Sequence, residues 1–547
     1  MKYFFLTLFL FTGIATSAQD SLTLNDIAAA ERLMGLKFKP AERDSLFDDV
    51  KVNRKEYQKM RKYQLDNSIP LSTWQSPMLP GMKFNMKQAP VSWIIPANIS
   101  IPANKNELAF YSILQLASLI KNKKISSVEL TKFFIGRLKK FSDTLQCVIT
   151  ITENIALQEA MEADIEIAAG KYRGPLHGIP YGLKDLFAVK GTRTTWGAAP
   201  YKEQVIDENA FVYTKLRDAG AVLVAKFTLG ALAMGDYWYG GRTRNPWNLK
   251  RGSSGSSAGS TSATVAGLVP FAIGTETYGS IISPSTTCGA TGLRPTFGST
   301  SRTGAMALSF SLDKVGPICR SAEDAALVFY YLHGTDGKDQ CAVNMPFNYT
   351  GKTDLSKMKI AYAKNYFDKG DTIGNELNVL DVYRGLGAQL TPVDFPDSAV
   401  YNFDIMGIII GAECAAQFDE FTRTELDDMM TRQGKGEWPN QFRTARFIPA
   451  VEYINAYRHR YLLMQKLNEV IGKYDAVICP TWGGNQVAIT NLTGHPAICF
   501  PTGFNKDKLP TSITLVGKLY GEATLLAIVK VFQDATDFNK LHPELFK

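Results

Sequence analysis

The feature that most constrains this chain is a run of small residues at positions 251–284, which reads RGSSGSSAGSTSATVAGLVPFAIGTETYGSIISP. Ordering a loop this rich in glycine and serine costs backbone entropy. A flexible linker has a similar composition, but a linker would not lead directly into residues 265–273, which are apolar enough to be buried. The run therefore predicts a functional loop attached to a buried strand.

The rest of the chain has the pattern of a large α/β domain. Its 547 residues are 45% hydrophobic and 20% charged, which is ordinary globular composition and assures a sizeable core. Short apolar runs alternate with amphipathic stretches and predict strands covered by helices. We expect strands near 147–152, 221–225, 269–273, 359–363 and 476–479, and helices at 406–421 and 451–470. The predicted fold is a single large domain whose mixed, mostly parallel β-sheet has helices on both faces.

The N-terminal residues predict export. Lys2 precedes an apolar run at 4–15 and the small residues Thr16, Ser17 and Ala18, which is the pattern of a cleaved signal peptide over 1–18. The run is too short to span a bilayer stably, so no membrane anchor is expected after cleavage. A buried N-terminal helix is the alternative. The mature protein is predicted to be secreted or periplasmic.

Two further boundaries follow from composition. Residues 19–106 form a polar extension with helices expected around 24–36 and 41–65, the first capped by Asp26, and a proline-rich stretch at 70–102. The main domain is expected at 107–541. Within it, residues 337–460 are predicted to be helical, and they either cover one side of a substrate site or simply pack as helices.

Charge and cysteine content indicate which partners, disulfides and cofactors to expect for this chain. Lys and Arg total 60 against 52 Asp and Glu, and the excess is spread along the chain, so no nucleic-acid partner is predicted. The seven cysteines lie mostly among apolar neighbours and are interpreted as small core residues, although one or two disulfides remain an alternative in an oxidising compartment. No C-x-x-C pair occurs, and we expect no metal and no cofactor.

The second Gly-Ser turn, Thr277, Tyr278, Gly279 and Ser280, has the composition of an oxyanion site. Small residues let consecutive N–H groups converge, and a neighbouring serine can then attack a carbonyl under those donors. The identity of the base is less clear from the residues alone. His177 and His495 occupy turns compatible with a Ser-His-Asp triad, and residues 255–259 match G-x-S-x-G around Ser257.

Several separated segments then resemble the amidase signature family, in the family's order and over about residues 108–541. They are the run at 251–284 itself, 174–180 leading into Lys184 and Asp185, 225–228, 245–248, 288–296, 316–324, 475–480, 491–496 and 501–504. The resemblance implies a Ser-Ser-Lys triad with Ser280 as nucleophile, Ser256 as proton relay and Lys184 as general base. It also implies a cis peptide bond between Gly255 and Ser256, an oxyanion hole at 277–280, and substrate contacts from Met234, Gly255 and Tyr278.

This triad requires a neutral Lys184, because an ammonium group has three donors and no acceptor. Lowering a lysine pKa to 7 costs about 4.6 kcal/mol, which burial must impose. The neighbours of Lys184 at 182–187 are apolar enough for that. In an extended segment, Asp185 points to the opposite side and does not pair with Lys184.

The resemblance implies an amidase that hydrolyses the C–N bond of a linear, small-molecule amide through an acyl-enzyme, and the signal-peptide pattern implies that it is exported. We expect a monomer or homodimer. Tyr278, Ser254 and Ala258 stand where the family usually has glycine, which leaves the substrate's size undetermined. One alternative is the amidase-like subunit of a tRNA-dependent amidotransferase, which would act with a partner protein. Another is a catalytically silent binding protein.

Overall fold

The computed structural model describes residues 22–60, 62, 66–69, 75–368, 376–396 and 403–547. The predicted signal peptide at 1–18 lies outside these residues. The chain divides into two compact units, residues 1–65 and 66–547. This boundary falls inside the predicted extension at 19–106, so the described proline-rich residues after 75 belong to the second unit.

The first unit contains α1 (Leu24–Leu33) and α2 (Pro40–Met60), which correspond to the two predicted helices. Thr23, not Asp26, is the N-cap residue of α1. Its hydroxyl accepts from the Asp26 N–H at 3.3 Å, and the Asp26 carboxylate accepts from the Thr23 N–H at 2.8 Å. The two residues form a reciprocal capping box, which satisfies two backbone donors at once.

Among the described residues, the second unit holds the strands and the other α-helices. Its helices are α3 (Ile113–Lys121), α4 (Ser127–Leu145), α5 (Glu153–Ala168), α6 (Phe211–Asp218), α7 (Ala258–Val265), α8 (Ile282–Cys288), α9 (Ala322–Leu332), α10 (Lys364–Phe367), α11 (Glu376–Gly385), α12 (Phe403–Gln417), α13 (Asp419–Arg423), α14 (Trp438–Ala445), α15 (Ala450–Ile471), α16 (Gln486–Thr493) and α17 (Glu522–Thr536). Its strands are β1 (Val148–Ile151), β2 (Pro180–Lys184), β3 (Val222–Phe227), β4 (Tyr237–Trp238), β5 (Gly241–Arg242), β6 (Arg244–Asn245), β7 (Asn248–Gly252), β8 (Ala272–Glu276), β9 (Thr291–Arg294), β10 (Lys314–Cys319), β11 (Ile360–Ala363), β12 (Leu390–Val393), β13 (Ala476–Pro480), β14 (Ala497–Phe504) and β15 (Pro510–Val516).

Eleven strands form one sheet in the order β1-β3-β2-β8-β10-β9-β14-β15-β13-β11-β12. The predicted α/β fold with a mixed sheet is confirmed. Parallel pairing is concentrated in two blocks, β3-β2-β8 and β13-β11-β12, which contain the four parallel pairs. The other six neighbouring pairs are antiparallel and therefore outnumber the parallel ones. Antiparallel pairing suits β14 and β15, because only residues 505–509 connect them.

The sheet lies in the core of the unit. Strands β2, β3, β10 and β13 are buried along their whole length, which requires helices over both faces. The predicted strands correspond to β1, β3, β11 and β13, and the predicted helices to α12 with α13 and to α15. The strand expected at 269–273 is displaced, since β8 begins at Ala272. Pro270 has no N–H to give to a sheet, and the Val269 carbonyl accepts from Arg320 at 3.1 Å.

Two features bear on the sequence predictions. All seven cysteines are free and six are buried, as expected of core residues, and burial raises the pKa of Cys147 and Cys499 to about 12. Across the described ranges, the helices lack the combination of length and apolar character that a bilayer crossing requires.

Candidate active site

The predicted catalytic residues lie at one edge of the sheet. Strand β2 ends at Lys184 and its parallel neighbour β8 ends at Glu276, so their carboxyl ends lie side by side. Strand β10 runs antiparallel to β8 and begins at the same edge, where Lys314 pairs with Glu276. The loops that carry Ser256, Ser280 and Asp313 all converge on this edge. The ends of β2, β8 and β10 therefore fix the positions of these loops.

Lys184 lies at the centre of this edge and is fully buried. Its Nζ is 2.8 Å from Ser256 Oγ and 2.9 Å from Thr275 Oγ1, with Ser257 Oγ at 3.2 Å and the Thr275 carbonyl at 3.4 Å. All four contacts are neutral oxygens. Burial lowers the pKa of Lys184 to about 7, against the opposing pull of the Asp313 and Glu276 carboxylates. The amine is thus placed beside a hydroxyl and is available as a base near neutral pH.

Asp185 has a partner of its own. Its carboxylate lies 2.9 Å from Lys226 Nζ, with both side chains fully buried, and it accepts from the N–H and hydroxyl of Thr195 at 2.7 and 2.6 Å. The prediction that Asp185 points away from Lys184 is confirmed. Strand alternation places the two side chains on opposite sides, so Asp185 pairs with Lys226 and not with Lys184.

The loop that carries Ser256 is tightly packed. The predicted cis peptide bond between Gly255 and Ser256 is present. A Cβ on Gly255 would lie 1.8 Å from the Gly235 carbonyl oxygen, so only glycine fits there. The Asp236 carboxylate accepts from the Ser254 N–H at 3.2 Å and fixes the preceding turn.

Ser280 follows the end of β8 and remains slightly exposed, at 8%. The Ser257 N–H donates to the Ser280 carbonyl at 3.1 Å, which ties the two serine loops together. Gly279 has φ of +82°, a conformation that favours glycine. Among the described residues, no acceptor is found for the N–H groups of Thr277, Gly279 and Ser280. Such a turn can direct amides at a developing oxyanion.

Two buried carboxylates that the sequence analysis missed support this turn. Glu276 accepts from the N–H groups of Ile281 and Ile282 at 2.8 and 2.9 Å and pairs with Arg294 at 3.0 Å. Asp313 accepts from the Thr277 hydroxyl. The sequence did not single out either residue, because their contacts depend on how β8 and β10 pack.

The histidines considered as alternative bases have other partners. The His177 ring accepts from the Arg173 N–H at 3.1 Å, and burial lowers its pKa to about 4. His495 contacts the Thr493 hydroxyl at 2.9 Å, and burial lowers its pKa to about 3. Ser257 is fully buried and donates to the Thr275 carbonyl at 3.1 Å. In the part of the chain that is described, no histidine contacts Ser256 or Ser280.

Two cavities adjoin these loops. One, of about 280 Å³, is lined by the predicted substrate residue Met234 together with Arg432 and Trp438 from the 337–460 segment. The other, of about 580 Å³, is bordered by Thr275, Thr277 and Asp313 and has a largely apolar wall. Tyr278, another predicted substrate residue, belongs to the turn itself and is 37% exposed.

The lowered pKa of Lys184 predicts the pH dependence of any reaction that uses it as a base. The rate should rise as pH increases through about 7 and level off above, because the lysine must be deprotonated. Since its folded pKa lies below the unfolded value, the stability cost of burying Lys184 is fully present below the folded pKa and disappears as pH approaches about 10.4. A profile of kcat/KM between about pH 5 and 9 checks the predicted rise in rate. A profile that is flat through pH 7 would contradict it.

Comparisons with known proteins identify the fold and the family of this chain. The fold is that of enzymes that act on an amide C–N bond, either as hydrolases or as amidotransferases. A family model described as Amidase matches residues 129–489, and the chain belongs to this amidase family.

Several relatives share most of this chain. A glutamyl-tRNA(Gln) amidotransferase subunit of Coxiella burnetii is 34% identical over 489 residues, covering 79% of this chain and 99% of the relative. The corresponding subunit of Carboxydothermus hydrogenoformans is 32% identical over 486 residues, covering 80% and 100%. The solved peptide amidase of Stenotrophomonas maltophilia is 27% identical with a TM-score of 0.71, covering 79% of this chain and 98% of that one.

Proposed function

We propose that the chain cleaves a carboxylic amide, with Ser280 as nucleophile, Ser256 as relay and Lys184 as base. The observation that carries this proposal is the 2.8 Å contact between a fully buried Lys184 Nζ and Ser256 Oγ, beside the Ser280 turn. Neutral Lys184 takes a proton through Ser256 as Ser280 attacks the carbonyl, and the amides of 277–280 stabilise the oxyanion. The proton returns through Ser256 to the leaving nitrogen, and water then attacks the acyl-enzyme by the reverse path.

The fate of the released nitrogen separates two candidate functions. Release into solution would make the chain an amidase, and the resemblance to a solved peptide amidase supports this. Delivery of ammonia to a partner would make it part of an amidotransferase. The amidotransferase relatives favour this second candidate, because the match to the Coxiella burnetii subunit covers 99% of that protein. Met234, Gly255 and Tyr278 are proposed to contact the substrate in either case, with residues 337–460 covering it.

The deciding experiment measures ammonia or amine release by the purified full chain from glutamine, simple amides and peptide amides. An amidase turns over one of these alone, and a phosphonate probe labels its Ser280. A component of an amidotransferase releases little ammonia when it is assayed without a partner. Its activity rises when the proteins that copurify with it are added. A chain that is neither labelled nor active, alone or with partners, would be a silent binding protein.

Export remains a separate proposal. It rests on the signal-peptide pattern at 1–18, whereas a partner that uses charged tRNA would require the cytoplasm. Cell fractionation with N-terminal sequencing of the recovered protein tests it. Recovery of uncleaved chain from the cytoplasm would reject export and strengthen the amidotransferase candidate.

A further inference from the structure

Glu413 of α12 is a buried carboxylate that the proposed chemistry does not use. It is 2% exposed. Its Oε2 accepts from the Ser311 N–H at 3.1 Å and from the Ser309 hydroxyl, and its Oε1 accepts from the Tyr453 hydroxyl at 3.0 Å and from the Tyr457 hydroxyl. Both tyrosines belong to α15. One carboxylate therefore joins two helices of the 337–460 segment to the loop that precedes β10.

Arg460 of α15 makes a second connection to the same loop. It is also 2% exposed, and it donates to the Ser311 hydroxyl at 2.9 Å and the Ser311 carbonyl at 3.0 Å. Its Nε donates to the Leu492 carbonyl in α16 at 2.5 Å. The neighbouring Asn491 donates to Glu276 at 2.7 Å. Arg460 thus connects the loop before β10 with the helix that contacts the end of β8.

These contacts close into a ring around the Ser280 turn. On one side, Asp313 accepts from the N–H groups of Leu308 and Ser309 at 2.8 and 3.0 Å and from the Thr277 hydroxyl. On the other side, Glu276 holds the backbone just after Ser280. Both ends of the turn are therefore fixed by one buried network, and Glu413 and Arg460 join its two sides.

We propose that Glu413 and Arg460 are positioning residues that set the geometry of the oxyanion donors and the nucleophile. The proposal rests on the proposed role of Ser280. Oxyanion donors work only where they are already aligned with the developing charge. A buried hydrogen-bonded network resists rearrangement, because breaking any of its hydrogen bonds in a low-dielectric interior is costly. Through this ring, residues 337–460 affect the rate of the reaction, in addition to any role in covering the substrate.

The test compares steady-state kinetics of the full chain with Glu413→Gln and Ser311→Ala. Glu413→Gln puts an amide NH₂ group in place of one carboxylate oxygen, where the neighbouring groups are hydroxyl or N–H donors. Ser311→Ala removes the hydroxyl that accepts a hydrogen bond from Arg460. We expect kcat to fall about 10-fold or more, with KM changed less than about 2-fold, because misalignment acts on the transition state. The pH midpoint should stay at the wild-type value, since the contacts of Lys184 are untouched.

Glu153→Gln is the matched control, because Glu153 is a half-exposed carboxylate that is paired with Lys139 and lies outside the network. A normal kcat per folded molecule in both variants would overturn the proposal, as would a rise in KM alone. If Glu413→Gln does not fold, Ser311→Ala decides alone. The rate of phosphonate labelling at Ser280 is read in parallel and should fall with kcat. Wild-type chain that resists the probe and turns over no amide would instead refute the proposed function.

Discussion

Replacing Ser280 by alanine is expected to lower kcat/KM by about 10⁴-fold or more, and replacing Lys184 by alanine should cost a similar factor. The first change removes the atom that forms the acyl-enzyme. The second removes the only side-chain amine found in contact with Ser256 within the described ranges. The double variant should be scarcely worse than either single one, since the two groups act in one step. Initial rates of amine release with single-turnover controls provide the measurement.

Ser100→Ala is a suitable control, because Ser100 is exposed and lies outside both the site and residues 337–460. Circular dichroism and thermal unfolding establish that each variant is folded before its rate is compared. A Lys184→Ala variant with full activity would reassign the base and end the Ser-Ser-Lys proposal. An active Ser280→Ala variant would likewise exclude the acyl-enzyme at that residue.

Replacing Lys226 by methionine is expected to lower the free energy of unfolding by about 3–5 kcal/mol. Lys226 and Asp185 are both fully buried and 2.9 Å apart, so the substitution leaves Asp185 as an uncompensated buried charge. Urea unfolding at pH 7 measures the loss, with the midpoint falling and the m-value unchanged. A loss below about 1 kcal/mol would contradict the expectation, because that is the range of exposed pairs.

Lys540→Met gives the matched comparison, since Lys540 and Asp537 form an exposed pair at 66% and 63% side-chain exposure. The double variant Lys226→Met with Asp185→Asn should be more stable than Lys226→Met alone. Removing the stranded charge relieves most of the penalty, and the two changes are therefore not additive.

Much of the fold was predictable because hydrophobic periodicity is local. The strands at 221–225 and 476–479 and the helix at 451–470 were found close to their predicted positions. Strand order was not predictable, because β1 and β3 or β9 and β14 are brought together by contacts far apart in sequence. The strand expected at 269–273 was displaced because Pro270 breaks the pairing.

The candidate site shows the same division. The resemblance placed Lys184 and Ser256, and the structure brings these two side chains within 2.8 Å. It did not indicate Thr275, Asp313 or Glu413, because their contacts depend on the packing of β8, β10 and α12. Sequence patterns identify residues that carry chemistry more readily than residues that hold them in place.

The neutral oxygens that surround Lys184 Nζ also affect how readily the lysine gains and loses a proton. A neutral amine accepts one hydrogen bond and donates two, whereas an ammonium donates three. Ser256, Ser257 and Thr275 meet both requirements from the same positions, with Ser256 changing from donor to acceptor by rotation of one O–H bond. Under the proposed mechanism the lysine gains and loses its proton while its heavy-atom surroundings stay still, so that the reorganisation energy of each transfer is small.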